Sequence, residues 1–319
     1  MRLSCFEPLM HRKAAVKGKT KRYFSKVKLR VGIKKGNKLY MYKNILVKRI
    51  FLFVIICILV LTSLKLYNIQ NLENNTKYCH FSIDDTIDIF RDITANKDKY
   101  NSIFENDILH FLKECHEEYG MKTVLFCFYE FNGFSLAETT DKFSHEFKEN
   151  SDWIKFGFHA YNANSYMDYS VVNLRDSYIL FQKEIIRITG KKPETEAVRL
   201  DRFAGTEEQL KMLNSDFGIK AFLGADSYDR DNYYLDKEKN AKLRENDTIK
   251  INNYFITQTD WRIENMPDDV CVGGGDIQDK QLVIFTHEWK INDFVIREMI
   301  EKVFYEVTEK GYMFSFKIK

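Results

Sequence analysis

The chain has 319 residues, 45% of them hydrophobic and 15% aromatic, with a formal net charge of +3. That is too apolar and too evenly charged for a disordered or collagen-like chain, and long enough to bury a sizeable core. The near-neutral total hides an asymmetry: residues 1–49 carry 16 Lys and Arg against one acid, net +15, whereas residues 66–319 carry 32 basic and 45 acidic residues, net −13.

From Ile50 to Leu64 every residue is apolar except Thr62 and Ser63. Counted on to Tyr67, the run would make a helix about 27 Å long, close to the thickness of a bilayer core. Lys48, Arg49 and Lys65 flank it and can snorkel to the interface. The chain therefore reads as a basic cytoplasmic tail (1–49), a transmembrane helix (50–67), a polar linker (68–77) and an outward-facing domain (78–319) at the cell membrane. Anionic lipid accounts for the basic tail, and no nucleic-acid partner is expected. Of the six cysteines, four follow the span and none form a C-x-x-C pair, so neither a disulfide framework nor a zinc knuckle is expected.

Beyond the linker the patterns alternate. Strands are predicted at 78–83, 123–129, 154–158, 196–200, 219–223, 254–257, 282–285 and 312–318. Helices are predicted at 106–119, 136–148, 173–189, 206–214 and 294–308, several closed by Gly or opened by a plausible N-cap such as Thr206. The polar stretch 226–248 reads as an inserted loop or hairpin. Strands alternating with helices imply a mostly parallel sheet, and this many units favour a closed or nearly closed α/β barrel. An open doubly wound sheet usually has a Gly-rich first turn; here that turn is Asp84-Asp85-Thr86.

In a parallel barrel the chemistry gathers at the C-terminal strand ends. Those ends carry Asp84-Asp85, then His159, then Arg199 with Arg202, then Asp260-Trp261-Arg262, then His287 followed by Trp289. Two adjacent carboxylates can divide roles: one binds a divalent metal together with His159, and the other takes a proton from water. His287 can protonate a leaving group, and an arginine can orient the base or bind substrate. Each item has an ordinary structural explanation as well: Asp84-Asp85 as a helix cap, the histidines and arginines as buried polar groups, Trp261 and Trp289 as core aromatics. Gly273-Gly274-Gly275 reads as a loop, since no strand leads into it.

These residues, in this order, resemble the polysaccharide deacetylases of the nodulation-protein type. The strand Phe81-Ser82-Ile83-Asp84-Asp85-Thr86 is similar to that family's first motif, His159 takes the first place of its second, and Arg199 to Phe203 loosely match its third, with one residue more and no Pro. Asp260-Trp261 and Ile284–His287 are similar to the fourth and fifth. The resemblance spans about residues 78–290 and implies a distorted (β/α)7 TIM-like barrel, a bound zinc or other divalent metal, and removal of acetyl groups from N-acetylated cell-surface polysaccharide. It implies Asp84 as catalytic base, Asp85 and His159 as metal ligands and His287 as acid. Arg199, Arg202, Asp260, Trp261, Arg262 and Trp289 complete the set as substrate-binding candidates. The family's second histidine falls at Ala163, which cannot bind metal; Asn162, Asn164, Ser165, His80 and His287 are the replacements within reach. A barrel that kept its groove but binds glycan without cleaving it is the reading of another class, and a metal hydrolase acting on ester or glycosidic bonds is a third.

Overall fold

The computed structural model describes residues 34–163, 170–193, 195–227, 230–266 and 280–318, with the backbone alone at 34–45 and 68–75. Asn164, Ser165, Cys271, the Gly273–Gly275 run and most of the basic tail lie outside the described residues. The chain divides into two units, Met1–Ile69 and Gln70–Lys319.

One long helix, α1 (Lys34–Asn75), forms the described part of the first unit and continues past Ile69; its segment Leu46–Tyr67 is apolar and long enough to cross a membrane. Residues 68–75, expected as a linker, continue this helix.

The second unit runs β1 (Lys77–Thr86), α2 (Asp88–Ala95), α3 (Asp107–Tyr119), β2 (Thr123–Phe128), β3 (Glu130–Phe131), β4 (Phe134–Ser135), α4 (Ser144–Glu149) and β5 (Ile154–Ala160). It continues with α5 (Val171–Thr189), β6 (Ala197–Val198), α6 (Glu207–Phe217), β7 (Ala221–Leu223), α7 (Lys237–Asn246), β8 (Thr248–Ile251) and β9 (Tyr254–Thr257). It closes with β10 (Trp261–Arg262), β11 (Gln281–His287), α8 (Phe294–Glu309) and β12 (Tyr312–Phe314). Helix ends follow their local chemistry: Asn106, Ser170 and Thr206 cap α3, α5 and α6 with side-chain oxygens, and Gly120, Gly190 and Gly218 end the same helices in the left-handed region.

Two predicted elements differ. The helix expected over 136–148 survives only as a 3-10 turn at Leu136–Glu138 and the short α4. The Arg187 guanidinium donates to the carbonyls of Leu136, Ala137 and Thr139, occupying acceptors that a continuous helix would need. The stretch 226–248 contains a helix, α7, and β8 pairs antiparallel with β9.

The strands form a parallel-dominated α/β arrangement, but strand pairing does not close a barrel among the described residues. One large sheet runs β10-β11-β1-β2-β5, with β12 also on β1; a second runs β6-β7-β9-β8; and β3 and β4 form a small antiparallel pair of their own. The reason lies in β6, which pairs over only two residues before the chain turns into a 3-10 segment with Arg202 and Phe203 at positive φ. The seam between β5 and β6 is bridged by a side chain instead: His159 Nδ1 donates to the Arg199 carbonyl at 2.6 Å. At the other seam the segment after β9 crosses between sheets, with Thr259 N bonded to Ala225 O (3.0 Å) and Asp260 N to Val283 O (2.9 Å).

Alternation along the strands sends Phe81 and Ile83 outward to the helices, whereas Val124, Phe126, Leu223 and Val283 from both sheets pack together inside, joined by Phe316 and Ile318. Gly157 stands opposite Phe126 in the β2–β5 register, and a Cβ there would lie 2.4 Å from the Phe126 ring. Gly157→Ala is therefore expected to overpack this interior and lower stability by about 1–3 kcal/mol, measured by denaturant unfolding.

Candidate metal centre and its surroundings

Asp84 and Asp85 end β1. Successive strand residues normally point to opposite faces. Here the β1–β2 register shifts between Ile83 and Thr86, and Asp85 adopts φ 60, so both acids serve the same rim. This is a bulge that re-aims side chains, and Asp tolerates the left-handed region better than most residues. A second shift, between Cys127 and Phe128 in the β2–β5 pairing, falls where β5 carries His159.

Asp85 Oδ1 lies 3.2 Å from His159 Nε2, and Asp201 Oδ1 lies 3.9 Å from the same nitrogen. The ligand-capable atoms of Asp85, His159 and Asp201 all fall within 4.8 Å of one another. Because a carbonyl only accepts, the bond to Arg199 O places a proton on His159 Nδ1 and leaves Nε2 as the nitrogen facing the two carboxylates. Asp201 Oδ2 is buried without a hydrogen-bond partner. An imidazole nitrogen between two carboxylates, one of which also keeps a buried unpartnered oxygen, offers the donor types that bind a divalent cation, so the residues present fit such an ion.

The neighbouring acid is held differently. Asp84 is 2% exposed and Arg199 0%. Arg199 Nη1 donates to Asp84 Oδ1 at 3.1 Å and to Ser82 Oγ at 2.8 Å, and Nη2 donates to Thr259 Oγ1 at 3.1 Å. The guanidinium lies 4.1 Å from the centre of the Phe285 ring and 5.8 Å from that of Phe126. Arg199 thus orients Asp84 from inside the fold, a place from which it does not reach solvent.

Across the rim, His287 Nε2 lies 3.9 Å from Asp85 Oδ2, and its Nδ1 bonds the buried Glu264 carboxylate. Glu264 also accepts from Thr286 Oγ1 (2.9 Å) and Arg262 Nε (2.9 Å). Burial pushes the Glu264 carboxyl up, but the His287 bond and charge, with Arg262, outweigh it and hold it below the usual range. Trp289 is 53% exposed and donates Nε1 to Asp85 Oδ2 at 3.3 Å.

The structure therefore gathers Asp84, Asp85, His159, Arg199, His287 and Trp289, and adds two acids that sequence reasoning missed. Asp201 stands two residues past Arg199, in the extra residue that disturbs the third motif. Glu264 lies four residues past Asp260, and the phase of a two-residue strand cannot be read from sequence. Asp260, read as substrate-binding, is elsewhere: its Oδ2 accepts from Val283 N at 2.6 Å and ties the start of β10 to β11. Trp261 is half-buried against the main core, and Arg262 serves Glu264. Arg202 is exposed, and its charge acts on Asp201. His80 is no ligand in this arrangement: it is fully buried, outside the metal-capable group, and burial followed by the charge of Arg199 lowers its pKa to about 3.

No family model matches the chain, and no curated protein matches it. Solved structures do. The chain resembles the family 4 carbohydrate esterases. It is similar to the CE4 domain of a multidomain xylanase from the hindgut metagenome of Trinervitermes trinervoides, at 13% identity over 76% of this chain and 87% of that one, with a TM-score of 0.41. It is similar to a family 4 acetyl xylan esterase from Clostridium thermocellum in complex with cobalt (12% identity, 75% and 87% covered, TM-score 0.42). It is also similar to a CE4 family pseudoenzyme from Bacillus anthracis (13% identity, 75% and 63% covered, TM-score 0.41). Identities of 12–13% leave the chemistry to be read from this chain's own side chains.

Two measurements follow from the site's charges. Arg199→Met strands the buried Asp84 carboxylate and is expected to cost about 3–5 kcal/mol of folding stability, read by chemical denaturation without metal. The second concerns pH. Burial works against a charged His159, but the Asp85 hydrogen bond and the charges of Asp84, Asp85 and Asp201 outweigh it and carry its pKa from 6.5 up to about 9. A histidine raised on folding contributes its stability in full below the unfolded value and loses it as pH climbs through the folded one. The metal-free protein should therefore lose thermal stability from about pH 6.5 through about 9. A divalent ion must displace that proton, so its affinity should fall as the pH falls. Calorimetry in two buffers of unlike ionisation heat counts the proton released.

Proposed function

We propose that this chain is a membrane-anchored, metal-dependent hydrolase that deacetylates N-acetylated cell-surface polysaccharide. The observation that carries the reading is the juxtaposition of three devices on one rim: the Asp85–His159–Asp201 group, the Arg199-held Asp84, and His287 backed by Glu264. Asp85, His159 and Asp201 would hold the ion; one imidazole with two carboxylates suits zinc and also harder divalent cations. When bound, the ion supplies Lewis acidity, polarising the acetyl carbonyl and making water more acidic.

The chain's own residues supply the proton transfers. Asp84 takes the proton of the attacking water as its oxygen bonds the carbonyl carbon. Arg199 fixes the direction in which Asp84 can accept. His287, protonated on Nε2 and oriented by Glu264 on Nδ1, gives its proton to the nitrogen as the carbon–nitrogen bond breaks, releasing acetate and a free amine on the sugar. The exposed ring of Trp289 offers a face on which a sugar can stack. The positive tail and the apolar segment Leu46–Tyr67 support a single-pass anchor with its N-terminus in the cytoplasm; such an anchor would hold the domain near an envelope polymer.

The reading is tested with the purified full-length protein. About one divalent ion per chain is expected, lost in an Asp85→Ala, His159→Ala double variant, together with acetate release from acetylated glycan. Asp84→Asn should retain the ion and lose about 10²–10⁴-fold in kcat. Ala163 in place of the second histidine favours one other reading, a glycan-binding barrel: metal-free protein that still retains glycan would establish it.

A further inference from the structure

The Glu288 carboxylate takes no part in the chemistry above, yet it is 2% exposed and fully engaged. Its Oε2 accepts the backbone N–H groups of Ile87 and Asp88 at 2.8 Å each, and its Oε1 accepts that of Ile89 at 2.7 Å. These amides open α2, whose N-cap position is Ile87, a residue with no acceptor of its own. A helix start normally finds a local Ser, Thr, Asp or Asn. Here the cap comes from 200 positions away.

What the cap joins is the site. Immediately before the capped amides stand Asp84 and Asp85, the latter at φ 60. On either side of Glu288 stand His287 and Trp289, which approach Asp85 Oδ2 at 3.9 and 3.3 Å. We propose that Glu288 is a positioning residue: by capping α2 across the rim it holds the Asp84–Asp85 bulge against the end of β11, and so sets the geometry in which Asp85, His159 and Asp201 receive a divalent cation. This rests on the metal reading above. A carboxylate can accept on both oxygens, whereas an amide of the same shape turns an NH2 group toward at least one of the three donors. Glu288→Gln therefore loosens the cap with little change in volume.

A helix cap with no further role would show only in stability; a positioning residue also shows at the ion. The full-length protein in detergent is titrated with cobalt(II), and affinity and visible absorption are read where circular dichroism shows each variant folded. Glu146→Gln is the control: the partly buried Glu146 accepts the Ser102 hydroxyl and Ile103 N (2.8 Å) at a 3-10 turn and is not among the residues of the candidate site. Glu288→Gln is expected to weaken cobalt binding about 10–100-fold and to change the spectrum, with Glu146→Gln binding as wild type does. Should Glu288→Gln not fold, Glu288→Asp, which keeps the two carboxyl oxygens on a shorter stem, carries the test with a smaller loss in the same direction. Wild-type affinity and spectrum in the folded Glu288 variant would overturn the inference while leaving the metal reading intact. A wild-type protein that takes up no cobalt overturns both.

Discussion

The Arg199 guanidinium is the group on which the rest of the domain depends. An isolated charge with no exposure costs several kcal/mol to bury, and it persists only where the surroundings compensate it. Here Nη1 and Nη2 are compensated by Asp84 and Ser82 on β1 and by Thr259 on the segment that crosses between the sheets, with the faces of Phe285 and Phe126 beside the guanidinium, while Nε has no hydrogen-bond partner. Its backbone carbonyl receives His159 from β5. Since strand pairing leaves the two sheets unjoined among the described residues, this polar cluster ties them together, and it sits directly beneath the candidate site. Stability and function therefore share atoms.

The same cluster concentrates negative charge in the way a cation site does. Asp84, Asp85 and Asp201 crowd around one arginine and one imidazole. Burial raises the Asp201 carboxyl most, with the charges of Asp85 and Asp84 adding to it against His159 and Arg202. His159 answers by keeping its proton to about 9. In the metal-free chain the imidazolium is the stand-in for the missing positive charge. A divalent ion held by Asp85, His159 and Asp201 would replace that proton with two positive charges.

Much of this was legible in the sequence, for a definite reason. The strand ends that carry Asp84-Asp85, His159, Arg199 and His287 follow apolar runs whose order along the chain matches a parallel sheet, and β1, β2, β5 and β11 fall where the patterns place them. What was not legible depends on distant contacts. Helix α2 has only eight residues and borrows its cap from Glu288, so no local start signal marks it. Helix α7 buries only Asn240 and Leu243, so it has no apolar stripe to read. Among the described residues strand pairing does not close a barrel, since β6 ends after two residues, and Asp201 and Glu264 are invisible because each follows a segment too short to have a phase. The hydrophobic pattern reports which face of an element is buried; it does not report where a bulge turns one side chain toward another.

Asp201 also changes the character of the site it completes. A histidine at position 163 would have given a neutral second nitrogen; an aspartate gives a third carboxylate in the cluster, so the donor set of Asp85, His159 and Asp201 carries two negative charges. Oxygen-rich, anionic donor sets favour harder cations than imidazole pairs do. They also bring like charges together under burial, where His159 with Arg202 offsets Asp201 and His159 with His287 offsets Asp85. Selection of the ion and retention of the ion are thus coupled through one substitution. The positive φ of Asp85 itself, and of Arg202 next to Asp201, shows where the backbone is strained to bring those charges together.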